Sequence, residues 1–213
     1  MGTYNKTIEF ELAEIIAELE LPARQIKPLK PLKSGNNVYD LVLLKDNINK
    51  QRFVKSALVN SAALLKQYHG KPLVICFYSA AWQGHGIDYL KQLNAVNREL
   101  AKLGANLLVI SPDEGGQFLE QTIWDNSLYL NFYYDPENII AQKFGVYADE
   151  DPAWNKYPGI DVNVPLLAVY VLNPYNQIIF DYVDRDLDGP VPSLGILGAL
   201  SAEVSIGHKR KSA

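Results

Sequence analysis

The sequence predicts an α/β domain, a central sheet with helices on both faces. Three observations carry that prediction. Leu73 to Tyr78 is an unbroken apolar run bounded by Pro72 and Ser79, the pattern of a strand buried on both sides. Ile87, Leu90, Leu93, Val96, Leu100 and Leu103 then recur at helical spacing, with Gly104 placed to cap the helix. From there strand-like and helix-like segments alternate, and a hairpin and a last helix follow, which is the order of a layered α/β sheet.

Taken in order, residues 7 to 20 predict an amphipathic helix through Ile8, Leu12, Ile15, Ile16 and Leu19. Pro22, Pro28 and Pro31, interleaved with Lys27, Lys30 and Lys33 and followed by Ser34-Gly35-Asn36-Asn37, forbid helix and predict an extended linker packed on something else. Residues 38 to 44 and 51 to 55 read as short strands around a turn at Asp46-Asn47, and Ser56 to Tyr68 as a helix ending at Gly70. After the helix closed by Gly104, Leu107 to Ile110 reads as strand and Phe118 to Trp124 as helix. Leu130 to Tyr134 is the next strand, and Ile139 to Phe144 a short helix stopped by Gly145. Leu166 to Leu172 and Ile178 to Val183 flank the hairpin loop Asn173 to Asn176. Ser193 to Val204 is the last helix, and His208 to Ala213 a basic, frayed tail. The expected organisation is 1–37 helix and linker, 38–205 one α/β domain, and 206–213 tail.

The chain has 213 residues, 48% of them hydrophobic, which suits one enlarged domain with a substantial core. Twenty Lys and Arg against 24 Asp and Glu leave a net charge of −4, so a nucleic-acid partner is not expected. One Cys beside 13 Tyr excludes an internal disulfide, a CxxC redox pair and a Cys-rich zinc site. Met1 to Leu12 alternates polar and apolar residues, and the longest apolar runs fall far short of the roughly 20 residues of a spanning helix. A cytoplasmic chain without membrane insertion is the expectation. Gly115-Gly116 and Gly84-x-Gly86 lack the remaining glycines and the lysine of a phosphate loop. No serine has His and carboxylate partners at readable spacing.

Several strings then resemble one family. Gly70-Lys71-Pro72-Leu73-Val74-Ile75-Cys76-Phe77-Tyr78, Ser111-Pro112-Asp113, Phe132-Tyr133-Tyr134-Asp135-Pro136 with Ala141 and Phe144-Gly145-Val146, and Val171-Leu172-Asn173 through Tyr182-Val183-Asp184 occur in the order of one fold. It is the thioredoxin fold of the alkyl hydroperoxide reductase and thiol-specific antioxidant family, the peroxiredoxin-like proteins. The resemblance covers nearly two-thirds of the chain, from Gly70 to about Leu200. It implies a thiolate at the start of the helix after the first core strand, stabilised by the helix dipole and free N–H groups.

The residues depart from that chemistry. In Trp82-Gln83-Gly84-His85-Gly86, Gln83 falls where the resemblance places the peroxidatic cysteine and Gly86 where a second cysteine would be. The family's Thr or Ser falls on Ala80, and its Pro on Cys76. A glutamine amide cannot attack a peroxide, become a sulfenic acid or form a disulfide. The proline that faces the thiol, usually cis, aligns with Leu167. In a shifted register Val164-Pro165 would be the cis bond instead. The peroxide-polarising arginine also falls near Leu167, and Arg185 is the nearest arginine in sequence.

The expected remnant of the site is therefore Ala80, Trp82, Gln83, Gly84, His85, Gly86, Asp113, Pro165 and Leu167, with no catalytic residue, metal or cofactor. Cys76, mid-strand, reads as inert core. His85 and Asp88 lie one helical turn apart, so the carboxylate could orient the imidazole. Trp82 is expected to border the old pocket and Trp124 to pack one face of its helix. Trp154 and Tyr157, in the irregular insert 148–159, could close over a ligand or dock a partner, or only hold their own loop. The acidic cluster Asp184-Arg185-Asp186-Leu187-Asp188 reads as a solvated loop. The expected function is binding of a small ligand, an anion or a protein partner near Gln83 to His85, with a homodimer as one form of assembly. The rivals are residual oxidoreductase chemistry through Cys76 or a partner's thiol, and a structural role if Trp82 and its neighbours fill the pocket.

Overall fold

A computed structural model describes residues 28–39, 41, 43, 48–49, 68, 70–113, 117–187 and 189–211. Its centre is a six-stranded sheet in the order β1-β4-β3-β2-β5-β6. The strands are β1 (Ile48–Asn49), β2 (Leu73–Phe77), β3 (Asn106–Ser111), β4 (Asn131–Tyr134), β5 (Ala168–Leu172) and β6 (Ile178–Val183). β2 runs parallel to β3 and antiparallel to β5; β3 and β4 are parallel, and β1 and β6 complete the sheet antiparallel to their neighbours. All five β2 residues are buried, which is why its sequence is continuously apolar rather than alternating.

The helices are α1 (Gln83–Lys102), α2 (Gln117–Asp125), α3 (Ile139–Lys143) and α4 (Ser193–Lys211). α1 buries Gly86, Tyr89, Leu90, Leu93 and Leu100 along one face, packs on β3 and meets α4. Gly104 and Gly145 both take positive φ, +75° and +68°, at the ends of α1 and α3. Phe144, just past α3, lies against Phe77 at 5.2 Å and Tyr170 at 4.8 Å. Strand alternation puts Phe77 on that face and Cys76 on the opposite face, with Tyr78, whose ring meets α1 at Gly86.

The buried Asp135 fixes the start of α3. Its carboxylate accepts from the N–H groups of Ile139 at 3.0 Å, Ile140 at 2.9 Å and Ala141 at 3.2 Å, filling donors that a helix start leaves open. Burial nevertheless pushes its carboxyl above the usual carboxylate range against those three bonds.

Four expectations change. Val38, Tyr39, Leu41 and Leu43 are not in a strand; the short strand forms instead at Ile48–Asn49, just past the expected turn, where it can pair with Phe132 and Tyr133. The last helix continues to Lys211, so the residues read as a tail begin as helix. Trp124 is 67% exposed, because α2 turns Leu119, Thr122 and Ile123 inward and the next position faces out. Asp184 is buried, its carboxylate accepting from the Leu187 N–H at 3.0 Å. The helix expected over 7–20, the strand over 51–55 and all of the 56–68 helix except its helical end at Tyr68 lie outside the described residues.

The proline-lysine stretch is fastened along its described length. Leu29 N–H donates to Asp151 at 2.7 Å and Leu32 N–H to the Phe144 carbonyl at 2.9 Å. Ser34 N–H and Lys33 Nζ both reach Asp181, at 2.7 and 2.8 Å. Gly35, Asn36 and Val38 then bond the backbone of Ile178 and Asn176. Proline removes its own donors but fixes an extended path, and most of the remaining N–H groups find acceptors here. Residues 28–38 form a strap over the domain.

Candidate functional site

The site grows from the C-terminal end of β2. Tyr78 N–H bonds the Ile110 carbonyl at 3.0 Å, and Ser79, in extended conformation, caps a single 3₁₀ turn over Ala80–Trp82. Asp113 ties that turn to the end of β3. It accepts from Ala80 N–H at 2.6 Å, from the Ser111 hydroxyl at 3.0 Å and from the Ser79 hydroxyl at 3.4 Å. Ala80 and Asp113 therefore do meet, as a structural clasp.

Trp82 does more than border a pocket. It is 1% exposed, its indole N–H donates to the Pro165 carbonyl at 2.9 Å, and Tyr157 packs edge-on against it at 5.1 Å. On its other side lies Gly86, where an added Cβ would sit 2.8 Å from the Tyr78 ring and 3.0 Å from Trp82 Cβ. Trp82, Tyr78, Tyr157 and Pro165 thus occupy the interior where the resemblance places a reactive centre. A side chain at position 86 is excluded by the same packing. Tyr157 belongs to this cluster as a buried wall, while Trp154 is half-exposed and apart from it.

At the surface above, Gln83, Gly84 and His85 are all exposed. Gln83 has φ 49° and ψ −129°, a conformation that glycine takes freely and a Cβ-bearing residue only under strain. Asp88 pairs with Lys91 at 3.3 Å rather than with His85, so the acid-oriented imidazole does not form. His85 makes no hydrogen bond among the described residues, and no group of three His, Cys, Asp or Glu there could hold a metal. Leu167 is buried and its carbonyl accepts from Asp184 N–H at 2.9 Å. Val164-Pro165 is trans, since no described peptide bond is cis, so the shifted register has no cis bond to match.

Cys76 has no exposed surface. Its strand is hydrogen-bonded on both sides, opposite Val109 and Val169, and its thiol points to the Phe77 carbonyl at 3.6 Å. Burial pushes the thiol far above the ordinary cysteine range, so it stays protonated at any physiological pH. Tyr78 and Tyr89 carry buried hydroxyls without a hydrogen-bond partner. Sequence reading passed over both, although Tyr78 ends the apolar run and Gly86 stands one turn from Tyr89.

The strain at Gln83 yields a first prediction. Gln83→Gly is expected to raise stability by about 1 kcal/mol, the relief of positive-φ strain less the entropy of the added glycine. Urea midpoints of the two proteins measure it. An unchanged or lower midpoint means the corner carries no strain.

The mixed sheet, the β2 corner leading into α1 and the Asp135-capped α3 define a thioredoxin-like α/β fold of the peroxiredoxin type. Solved structures share it. Mycobacterium tuberculosis peroxidoxin BcpB is similar with a TM-score of 0.58 and 17% identity, over 80% of this chain and 97% of that one. Xanthomonas campestris peroxiredoxin Q gives a TM-score of 0.53 and 21% identity, over 66% and 84%. In sequence, the Haemophilus influenzae protein named "Putative peroxiredoxin bcp" is 26% identical over 165 residues, 73% of this chain and 98% of that protein. Residues 54–180 match the AhpC/TSA family model, and the chain belongs to that family.

Proposed function

We propose that this chain is a redox-inactive member of the AhpC/TSA family that works in the cytoplasm by binding a partner at the surface over its degenerate site. One observation carries the reading: the only thiol in the chain, Cys76, is fully buried mid-sheet, while Gln83 stands at the exposed helix start. Attack on a peroxide needs a thiolate within reach of solvent, and burial denies Cys76 both ionisation and access. The interior is filled by Trp82, Tyr78 and Tyr157, so the reading favours recognition across the exposed Gln83–His85 surface over capture of a ligand inside. The first turn of α1 has no side-chain cap, and its N–H groups suit an anionic group of that partner.

The test is peroxide consumption with a thiol reductant, comparing wild type with Cys76→Ser, alongside labelling of the native thiol. Neither protein is expected to turn over peroxide above buffer, and Cys76 is expected to label only on unfolding. Turnover that disappears in Cys76→Ser, or rapid native labelling, overturns the reading in favour of an oxidoreductase that uses this thiol.

A further inference from the structure

Between the strap and the 148–159 insert lies a cavity of about 340 Å³. Pro28, Pro31, Leu166 and one side of Tyr157 give it apolar walls, and Arg185 stands at its edge. Its size is at the small end of ligand pockets, which run from roughly 300 to 1,000 Å³. Two further charges line it, but they cancel. Lys156 Nζ lies 2.5 Å from Asp151, whose carboxylate also holds Leu29 N–H. Burial alone would raise the Asp151 carboxyl, yet the Lys156 ion pair and the Leu29 N–H hold it below the usual range. Arg185 is exposed and makes no ion pair among the described residues. The lining thus carries one net positive charge, from one uncommitted guanidinium, on a chain whose net charge is −4.

We propose that this cavity binds a small carboxylate with an apolar chain, its head paired with Arg185 and its chain lying along Pro28, Pro31 and Leu166. A planar guanidinium matches a carboxylate with two parallel hydrogen bonds, and the prolines offer a rigid apolar wall that loses little entropy on binding. Asp184 and Asp186 flank Arg185 and oppose its charge at Tyr157, where the guanidinium is nevertheless the largest single charge acting, and Asp184 does not line the cavity. Asp151 is engaged with Lys156. Exposed Asp186 is not part of the lining. The site stands apart from the α1 corner, with Tyr157 as the wall between them, and does not depend on whether Cys76 reacts.

Calorimetric titration of the full chain with octanoate tests it, with 1-octanol and inorganic phosphate as probes of tail and head alone. Octanoate is expected to bind saturably and more tightly than either. Arg185→Gln, at an exposed position, is expected to weaken octanoate about tenfold or more without changing the melting temperature, and Arg185→Lys to recover part of the loss. Equal affinity for octanol and octanoate overturns the proposal. So does equal affinity for phosphate, an unchanged affinity in Arg185→Gln, or no saturable binding to wild type.

Discussion

Trp82→Ala is expected to destabilise the protein by about 3–5 kcal/mol, the range for removing a buried aromatic from a packed core. The side chain is 1% exposed and joins three parts of the chain distant in sequence: the β2 corner, Tyr157 of the insert and the Pro165 carbonyl before β5. Truncation removes the packing on Tyr157 and strips a buried carbonyl of its donor, so two costs add. Trp82→Phe separates them. It keeps most of the apolar volume and loses the 2.9 Å hydrogen bond, and is expected to lose about 1–3 kcal/mol. Urea unfolding with near-ultraviolet circular dichroism measures both. A Trp82→Ala loss below about 1 kcal/mol means that the corner is loosely packed and the old pocket is not filled.

Gly145→Ala is the second large effect. With φ +68°, any Cβ there is strained, and it would also run into the Lys30 carbonyl and come within 3.3 Å of Pro31 Cα. Both obstacles are backbone, so no rotamer change relieves them. The Leu32–Phe144 hydrogen bond, beside the collision, is expected to break with it. A loss of about 2–4 kcal/mol follows from left-handed strain plus overpacking, together with faster tryptic cleavage after Lys33. Gly104→Ala is the control. Its φ is +75°, yet nothing lies within 4 Å of the added Cβ, so it is expected to lose only about 1–2 kcal/mol and to keep the strap protected. Equal losses in the two variants would show that the strap does not press on residue 145.

These two positions show what the sequence could and could not convey. Leu73–Phe77 was legible because a strand buried on both faces must be apolar at every residue, and the α1 stripe because one buried face imposes a 3.6-residue period. Cys76 was legible as core because a lone thiol inside a continuously apolar strand has nowhere but the interior to go. The filling of the site was not. Tyr157 lies 75 residues beyond Trp82, and nothing in its acidic loop says that it turns inward. The strap was legible as an extended segment packed on something else, because proline density excludes helix. Its acceptors were not, since nothing in the local sequence points to Asp151, Phe144 or Ile178. Trp124 failed by one helical position, about 100° of rotation, which is within the uncertainty of placing a short helix by periodicity.

The strap has a further effect on how the sheet meets other molecules. β6 is the last strand, and such a strand offers unpaired N–H and C=O groups to any passing chain. Here both backbone groups of Ile178 are taken, its carbonyl by Gly35 N–H and its N–H by the Asn36 carbonyl, both at 2.8 Å. Asn37 adds a bridge to Gln177, and the β5–β6 ladder is irregular between Val171 and Leu172, which twists the rim away from a flat template. Strand addition at this rim has only the stretch from Phe180 onward to work with. The segment that closes one side of the cavity thus also guards the sheet against edge-to-edge aggregation.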